Sequence, residues 1–225
     1  MSKPIAYVLS TRELSAELVG RAAAKGVVID SLSFIAIEPI RAVEVPGPSA
    51  VVVFTSGNAV EAIEGANGSG WKIFCTAGAT RRKVAERFGE AAIAGMAESA
   101  AELAKSIIGD GWVKAVWFFC GDLRREELPA MLRQAGLEVH EVVVYKTRLT
   151  PRKIGRVYDG IAFFSPSAVE SFFSVNTMAP GTRLFAIGGT TAEAIRQRCD
   201  NPVTTSERPE TELLINQIIH DNTEE

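Results

Sequence analysis

The chain contains an internal repeat. The segment at 53–63, Val-Phe-Thr-Ser-Gly-Asn-Ala-Val-Glu-Ala-Ile, reappears at 162–172 as Ala-Phe-Phe-Ser-Pro-Ser-Ala-Val-Glu-Ser-Phe. The N-terminal stretch from Tyr7 to Ile29 has a weaker echo from Phe118 to Val139. A repeat of this length indicates a duplicated domain rather than a solenoid of short units. Duplication predicts two similar lobes with a cleft between them, which is a common place for a small molecule to bind.

The composition fits a globular chain and argues against some partners. The 225 residues suit one or two domains, and 47% hydrophobic residues supply buried cores of normal size. The formal net charge of -3, with no long block of Lys and Arg, argues against a nucleic-acid partner. An acidic ligand would therefore need local basic residues or backbone N–H donors. The low charge and the expected hinge favour a monomer.

The cysteines and the hydropathy pattern predict a cytoplasmic protein. Cys75, Cys120 and Cys199 lack metal-ligand spacing and lie in or beside apolar segments, which is typical of reduced thiols. No apolar stretch is long enough to span a membrane, and no apolar signal region precedes the first strand-like segment. We therefore expect neither a membrane partner nor a metal.

Short apolar runs alternate with segments of helical period along the whole chain, which predicts an α/β fold with parallel sheets. The predicted strands are Ile5–Leu9, Val51–Phe54, Ile73–Cys75, Val113–Cys120, Ile161–Phe164 and Leu184–Ile187. The predicted helices lie near 13–25, 58–66, 79–88, 125–135, 166–175 and 190–198. Two longer extended segments, Val27–Val45 and Leu137–Leu149, lead into prolines and are candidate interdomain linkers.

Polar residues cluster in the turns between strands and helices. Hydroxyl, amide and glycine residues follow most of the predicted strands, as in Thr55-Ser56-Gly57-Asn58 and Gly188-Gly189-Thr190-Thr191. Open α/β sheets bind ligands at this edge, where exposed N–H groups and helix dipoles attract anions. Ser, Thr and Asn also cap helices in any protein, so each residue taken singly has a purely structural alternative. Together the turns predict a surface of neutral donors for carboxylates or phosphates.

Familiar catalytic and nucleotide motifs are missing. Gly188-Gly189 lacks the Lys of a P-loop, and no G-x-G-x-x-G pattern follows a strand, so neither ATP nor NAD is indicated. His140 and His220 are the only histidines, which leaves little material for a Ser-His-Asp or Cys-His site. Cys120 has no evident base beside it and is better explained as a small buried residue.

An ordered set of motifs resembles the uroporphyrinogen-III synthase family across nearly the whole chain. The motifs are Phe54-Thr55-Ser56, the run from Phe119 to Leu128, Val144-Tyr145-Lys146-Thr147, Phe164-Ser165-Pro166-Ser167 and the run from Ala186 to Ala192. The resemblance implies two similar flavodoxin-like, parallel-sheet βα lobes joined by two extended linkers, with an interdomain cleft. It places 1–35 with 149–225 in one lobe and 36–148 in the other, whereas a straight tandem duplication would divide the chain near Gly111.

The resemblance also implies a reaction. Its substrate is hydroxymethylbilane, a linear tetrapyrrole with acetate and propionate arms, and its product is the cyclic uroporphyrinogen III. The enzyme eliminates the terminal hydroxyl as water, closes the macrocycle through a spiro intermediate and inverts the last pyrrole ring. No metal or organic cofactor is implied. Because the substrate also reacts unaided, positioning supplies a large share of the catalysis.

The implied catalytic residue is Tyr145, whose phenol stays protonated at neutral pH and can donate to the departing hydroxyl. The alternative is a strand tyrosine that packs its ring and turns its hydroxyl to water. Gly121 would let the ligand approach the backbone, and Arg12 and Arg124 would pair with carboxylates unless they are solvated surface cations. The remaining implied contacts are Thr11, Thr55, Ser56, Asn58, Thr80, Ser165, Ser167, Thr190 and Thr191.

Two other function classes fit the same pattern. A non-catalytic two-lobed binding protein, or a sensor for an anionic small molecule, would share the duplicated lobes and the anion-friendly turns. A diverged, inactive homologue would share them as well. Tight ligand binding without conversion distinguishes the first of these from an enzyme.

Overall fold

The computed structural model describes residues 5–41, 43–63, 68 and 70–223. The strands are β1 (Ala6–Ser10), β2 (Val27–Ser31), β3 (Ile35–Pro39), β4 (Val51–Phe54), β5 (Lys72–Thr76), β6 (Ile93–Ala97), β7 (Ala115–Gly121), β8 (Glu138–Leu149), β9 (Gly160–Phe163), β10 (Arg183–Ala186) and β11 (Val203–Thr205). The helices are α1 (Ala16–Ala24), α2 (Gly57–Ala62), α3 (Ala79–Phe88), α4 (Ala100–Gly109), α5 (Glu127–Gln134), α6 (Pro166–Phe173), α7 (Gly189–Arg196) and α8 (Thr211–Thr223), with a 3-10 turn at Glu90–Ala92.

The alternation of strands and helices confirms the α/β prediction, and all six predicted strands and six predicted helices have counterparts. The predicted helix at 58–66 ends at Ala62, and residues 64–67 lie outside the described residues. The linker predicted at Val27–Val45 was wrong in its first part, because Val27–Ser31 is an edge strand that pairs with β1 along its whole length. Its half-exposed residues do not form the continuous apolar run that marks a central strand.

The described residues form two compact units. The first comprises the parts of Met1–Ala36 and Arg148–Glu225 that the structure describes, and the second spans Ile37–Thr147. The first unit has a five-stranded sheet in the order β11-β10-β9-β1-β2. The second sheet has six strands in the order β3-β8-β7-β4-β5-β6. Two strands, β3 and β8, run across the boundary between the units in the sequence.

The two sheets share one arrangement of five parallel strands. The repeat aligns β4 with β9 and β7 with β1, so β6-β5-β4-β7-β8 corresponds strand for strand to β11-β10-β9-β1-β2. Numbered along the chain, the first unit has the flavodoxin order 2-1-3-4-5, and the second has 3-2-1-4-5 because the chain enters it at a different strand. The strand order reverses between β1 and β9 in one unit and between β7 and β4 in the other. We call these two places the switch points.

Each sheet has an apolar core on both faces. Alternate residues of the central strands go to opposite faces, as Val51 and Val53 join one cluster while Val52 and Phe54 join the other. In the first unit, Leu9 packs on one face and Val8 on the other. Each fully buried apolar side chain contributes about 1.5–3 kcal/mol, so the four buried residues of β4 fix its central place in the sheet.

Within the described ranges, no helix combines the length and the apolar character that a membrane span requires.

Candidate functional site

The switch point of the second unit gathers the polar residues that the sequence singled out. Strands β8, β7 and β4 are neighbours and parallel, so the residues at their carboxyl ends lie at one edge of the sheet. Tyr145 comes from β8, Gly121 ends β7, and Ser56 follows β4. The Tyr145 hydroxyl donates to Ser56 Oγ at 3.3 Å, a contact between residues far apart in the sequence. Ligands bind open α/β sheets in the crevice outside such a reversal of strand order.

A β-bulge and two hydrogen bonds fix the backbone around Tyr145. The pairing of β7 with β8 shifts between Cys120 and Gly121, so that Gly121 lies opposite Tyr145. Just beyond the bulge, the Asp122 N–H donates to the Tyr145 carbonyl at 3.1 Å. The Thr147 N–H donates to Asp122 Oδ1 at 2.9 Å. A bulge of this kind redirects a side chain, and here it sets the direction of the phenol.

The environment of Tyr145 keeps its hydroxyl protonated. Burial of the ring raises the pKa of the phenol above its ordinary value of 10.0, and the hydrogen bonds with Ser56 and Asn58 oppose only part of that effect. The ring packs against the apolar cluster of the second unit, while the residue as a whole is half-buried. At neutral pH the group is therefore a hydrogen-bond donor and not a base.

Ser56 combines a structural and a polar role. It is the N-cap of α2, and its Oγ accepts from the Asn58 N–H at 3.2 Å while it also accepts from Tyr145. Thr55, Ser56 and Asn58 are each half-buried, so their side chains keep some contact with solvent. The serine of this turn therefore has a structural and a polar role together, because the hydroxyl that caps α2 also accepts a hydrogen bond from the phenol.

Sequence reasoning missed Lys83 of α3. A Cβ added at Gly57 would lie 3.3 Å from Lys83 Nζ, which places the ammonium directly beside the Ser56-Gly57-Asn58 turn. Lys83 Nζ also pairs with Glu61 at 2.5 Å, and a third of its side chain is exposed. The only signal in the sequence was its spacing, since Lys83 follows Thr80 by almost one helical turn. Thr80 itself is only 7% exposed and belongs to the body of the unit.

Arg124 is held by carboxylates of the protein. Its guanidinium pairs with Glu141 and, at 2.9 Å, with Glu126, while Arg133 binds the other oxygen of Glu141. The hydrogen bond that Arg124 donates to Glu141 raises the pKa of the arginine further, and the two arginines hold the pKa of Glu141 below its ordinary value although burial opposes them. Arg124 therefore stabilises the turn after β7, and a substrate carboxylate would have to displace Glu126 to reach it.

The switch point of the first unit is filled by its own hydrogen bonds. Ser10 Oγ donates to the Arg12 carbonyl at 2.7 Å, and Thr11 Oγ1 donates to the Ala162 carbonyl at 2.9 Å. Both residues are buried, so the Thr11 hydroxyl ties β1 to β9 and is not presented at the edge. Arg12 lies over the ring of Phe164 at 5.3 Å and contacts Thr211 at 3.4 Å.

The other turns of the first unit offer exposed and half-exposed hydroxyls. Ser165 is the N-cap of α6 and accepts from the Ala168 N–H at 3.1 Å. Ser165 and Ser167 are half-buried, and Thr190 is exposed in the first turn of α7. Thr191 is only 3% exposed and packs inside the unit. Three of these four hydroxyls are thus within reach of a ligand at the edge of this sheet.

The remaining reactive groups do not form a nucleophilic or metal site. Burial raises the pKa of the Cys75 and Cys120 thiols to about 11, so neither is a thiolate at neutral pH. Among the residues that the structure describes, no group of three or more His, Cys, Asp or Glu side chains is placed to hold a metal ion.

Comparisons with known proteins agree on one family. The HEM4 family model, described as uroporphyrinogen-III synthase HemD, matches residues 16–216. A uroporphyrinogen-III synthetase structure from Helicobacter pylori is similar at 15% identity and a TM-score of 0.68, covering 97% of this chain and 99% of that one. A mutant synthase from Thermus thermophilus gives 16% identity and a TM-score of 0.56, covering 96% and 98%. At these identities the structures show a shared fold. No curated protein gives a significant match.

Proposed function

The chain belongs to the uroporphyrinogen-III synthase family, and we propose that the Tyr145 site of its second unit carries the reaction. The family's enzymes are lyases that need no cofactor and convert hydroxymethylbilane into uroporphyrinogen III in haem biosynthesis. This chain has that function. The hydrogen bond between Tyr145 and Ser56 at the switch point of the second unit is the observation that supports our assignment of the site.

Tyr145 assists the departure of the terminal hydroxyl. Electrons of the pyrrole nitrogen expel this hydroxyl and leave a cationic azafulvene, while the phenol donates its hydrogen bond and proton so that water leaves. The substituted α-carbon of the last pyrrole ring attacks the azafulvene first and forms the spiro intermediate, and the bond from that carbon to its original methylene bridge then breaks. The free α-carbon of the inverted ring bonds to this bridge and closes the macrocycle, and the proton that it loses restores the phenol. Burial disfavours the phenolate, so the proton returns readily and the group is ready for the next turnover.

Ser56 and Asn58 hold the phenol before substrate binds. Both side chains form hydrogen bonds with the Tyr145 hydroxyl, and Ser56 is itself fixed as an N-cap. A donor that is already oriented loses little entropy when the reacting group arrives, which is the advantage of preorganisation. The leaving hydroxyl would replace Ser56 as the acceptor of the phenol.

Carboxylate binding is the task of the surrounding turns. In the second unit we assign it to Thr55, Ser56 and Asn58 together with the charge of Lys83. In the first unit we assign it to Ser165, Ser167, Thr190 and Arg12. Thr11, Thr80 and Thr191 are buried, and we assign them a structural role. Arg124 is given the same role because two carboxylates of the protein already bind it.

Four expectations from the sequence remain proposals. These are the lobe boundaries at 35–36 and 148–149, the cleft between the lobes, the monomeric state and the cytoplasmic location. The absence of a nucleic-acid partner also stays a prediction.

The decisive experiment is a product assay. The protein is mixed with freshly prepared hydroxymethylbilane, the products are oxidised, and the type I and type III isomers are separated. We expect the type III ring, whereas heat-denatured protein should give only the type I ring that forms unaided. Formation of type I alone by the native protein would contradict the assignment, and tight binding of the substrate without conversion would favour the binding-protein alternative.

A further inference from the structure

The space beside Gly121 is taken by a tyrosine ring. Gly121 is buried at the end of β7, and a Cβ built on it would lie 2.5 Å from Tyr145 Cε2, 2.7 Å from its Oη and closer still to Cζ. Gly121 is not among the glycines with positive φ, so its backbone conformation suits any residue. The reason for a glycine here is therefore space and not torsion.

The ring has little freedom to move away from an added methyl group. Nonbonded carbon atoms rest about 3.5–4.0 Å apart, so the ring would have to shift by about 1 Å or more. Its backbone is fixed by the bulge and by the hydrogen bonds of Asp122, and its ring packs against the apolar cluster of this unit. A shift of that size would break the 3.3 Å hydrogen bond between the Tyr145 hydroxyl and Ser56.

From this geometry we propose that Gly121 is a positioning residue, which acts by leaving room for the phenol of Tyr145 to reach Ser56. The sequence suggested a different use, in which a glycine lets the ligand approach the backbone. The structure gives that room to Tyr145 instead. The inference rests on the proposed role of Tyr145, and it adds that the glycine sets the place of that hydroxyl without touching the substrate.

A double-mutant cycle tests the inference. Gly121→Ala is measured alone and in the Tyr145→Ala background, where the missing ring leaves room for the methyl group. We expect Gly121→Ala alone to lower kcat for type III product by about 100-fold, the effect of misplacing a catalytic group by 1 Å, with KM changed by less than about threefold. In the Tyr145→Ala background it should have no further effect on kcat. An equal loss in both backgrounds would show that Gly121 contacts the substrate, and would overturn the inference.

Melting temperatures of the same four proteins give an independent readout. Gly121→Ala should lower Tm in the wild-type background and leave it unchanged or raised beside Tyr145→Ala, because the clash is then gone. An equal decrease in both backgrounds overturns the steric argument. Gly109→Ala is the matched control, since a Cβ at Gly109 meets nothing within 4 Å, and it should leave both kcat and Tm close to wild type.

A third variant separates this inference from the proposed function. If Tyr145→Phe keeps the wild-type kcat, the proposed role of the phenol fails, and the catalytic part of the inference fails with it. If Tyr145→Phe is impaired while Gly121→Ala is fully active, only the inference fails. The alkaline absorbance titration of the phenols adds a direct probe, because displacement of the ring toward solvent should return the pKa of Tyr145 toward its ordinary value.

Discussion

The two switch points derive from one repeated segment but differ in what occupies them. In the first unit, the Ser10 and Thr11 hydroxyls donate to nearby carbonyls and are buried. In the second unit, the corresponding strand ends in Gly121, and the freed space holds the ring of Tyr145. Ser56 and Ser165 are both N-caps, yet only Ser56 is seen to accept from a tyrosine. A capping serine therefore becomes a candidate for a second role only when its surroundings bring another polar group to it.

The two units should differ most when the phenol hydroxyl of Tyr145 is removed. We expect Tyr145→Phe to lower kcat by about 100-fold, since a positioned proton donor contributes about 100-fold or more. The formation of type III product is the measurement. Tyr158→Phe in the first unit is the matched control, because its hydroxyl donates to Asp30 at 2.8 Å. It should lower Tm and leave kcat within twofold. If Tyr145→Phe and Tyr158→Phe had equal activities, the proposed chemical difference between the two units would be wrong.

A comparison of the paired serines sharpens the same distinction. Ser56→Ala and Ser165→Ala each remove an N-cap and should lower the free energy of unfolding by about 1 kcal/mol. We expect Ser56→Ala also to lower kcat by about tenfold, because the phenol loses an orienting partner worth about 1 kcal/mol or slightly more. Ser165→Ala should change KM and leave kcat within twofold. Steady-state kinetics and urea unfolding of both variants check this, and a kcat loss for Ser165→Ala would contradict it.

The prediction with the smallest effect on turnover concerns stability at alkaline pH. The thiols of Cys75 and Cys120 ionise near 9.0 in an unfolded chain, whereas burial raises the pKa of each to about 11 in the folded protein. Between these values the unfolded state binds fewer protons, so stability is full below pH 9 and falls as pH rises to about 11. The slope is about 1.4 kcal/mol per pH unit for each group. Urea unfolding from pH 8 to 11 measures it.

The control for the pH experiment again uses both units. Cys120→Ala should reduce the pH dependence of the free energy of unfolding by the contribution of about one proton, because the Cys120 thiol is fully buried. Cys199→Ala should flatten it less, since Cys199 in the first unit is half-buried although burial raises its pKa too. If both variants showed the same pH dependence of stability, the depth of burial would not determine how much each thiol contributes.

The sequence predicted the central strands and the ends of the helices well, because their signals are local. Val51–Phe54 is a continuous apolar run, and Ser56 and Ser165 stand where N-caps are expected. It missed α4, β6 and β11. Ile93–Ala97 has only Ile93 and Met96 as large apolar residues, and Val203–Thr205 has only three residues. Edge strands are half-exposed and lack the apolar run by which central strands are recognised.

The sequence named the residues of the candidate site but could not predict their contacts. A bulge between β7 and β8 directs Tyr145 toward Ser56, and no local sequence pattern predicts a bulge. The sequence likewise held no sign that the Thr11 hydroxyl points inward or that Glu126 and Glu141 already bind Arg124. Lys83 was missed because a cation on a helix is usually solvated, and its place beside Gly57 depends on the packing of α3 against α2.

The permuted strand order has a consequence for how the chain folds as it is made. The second unit is contiguous, so all its strands are available once Thr147 has left the ribosome. The first unit is not, since β1 lies between β2 and β9 and the latter begins only at Gly160. The opening βα segment, with its apolar Val8 and Leu9, must therefore wait through most of translation before its central partner is synthesised. A chaperone that binds newly made apolar segments would therefore be needed mainly for the segment of β1 and α1.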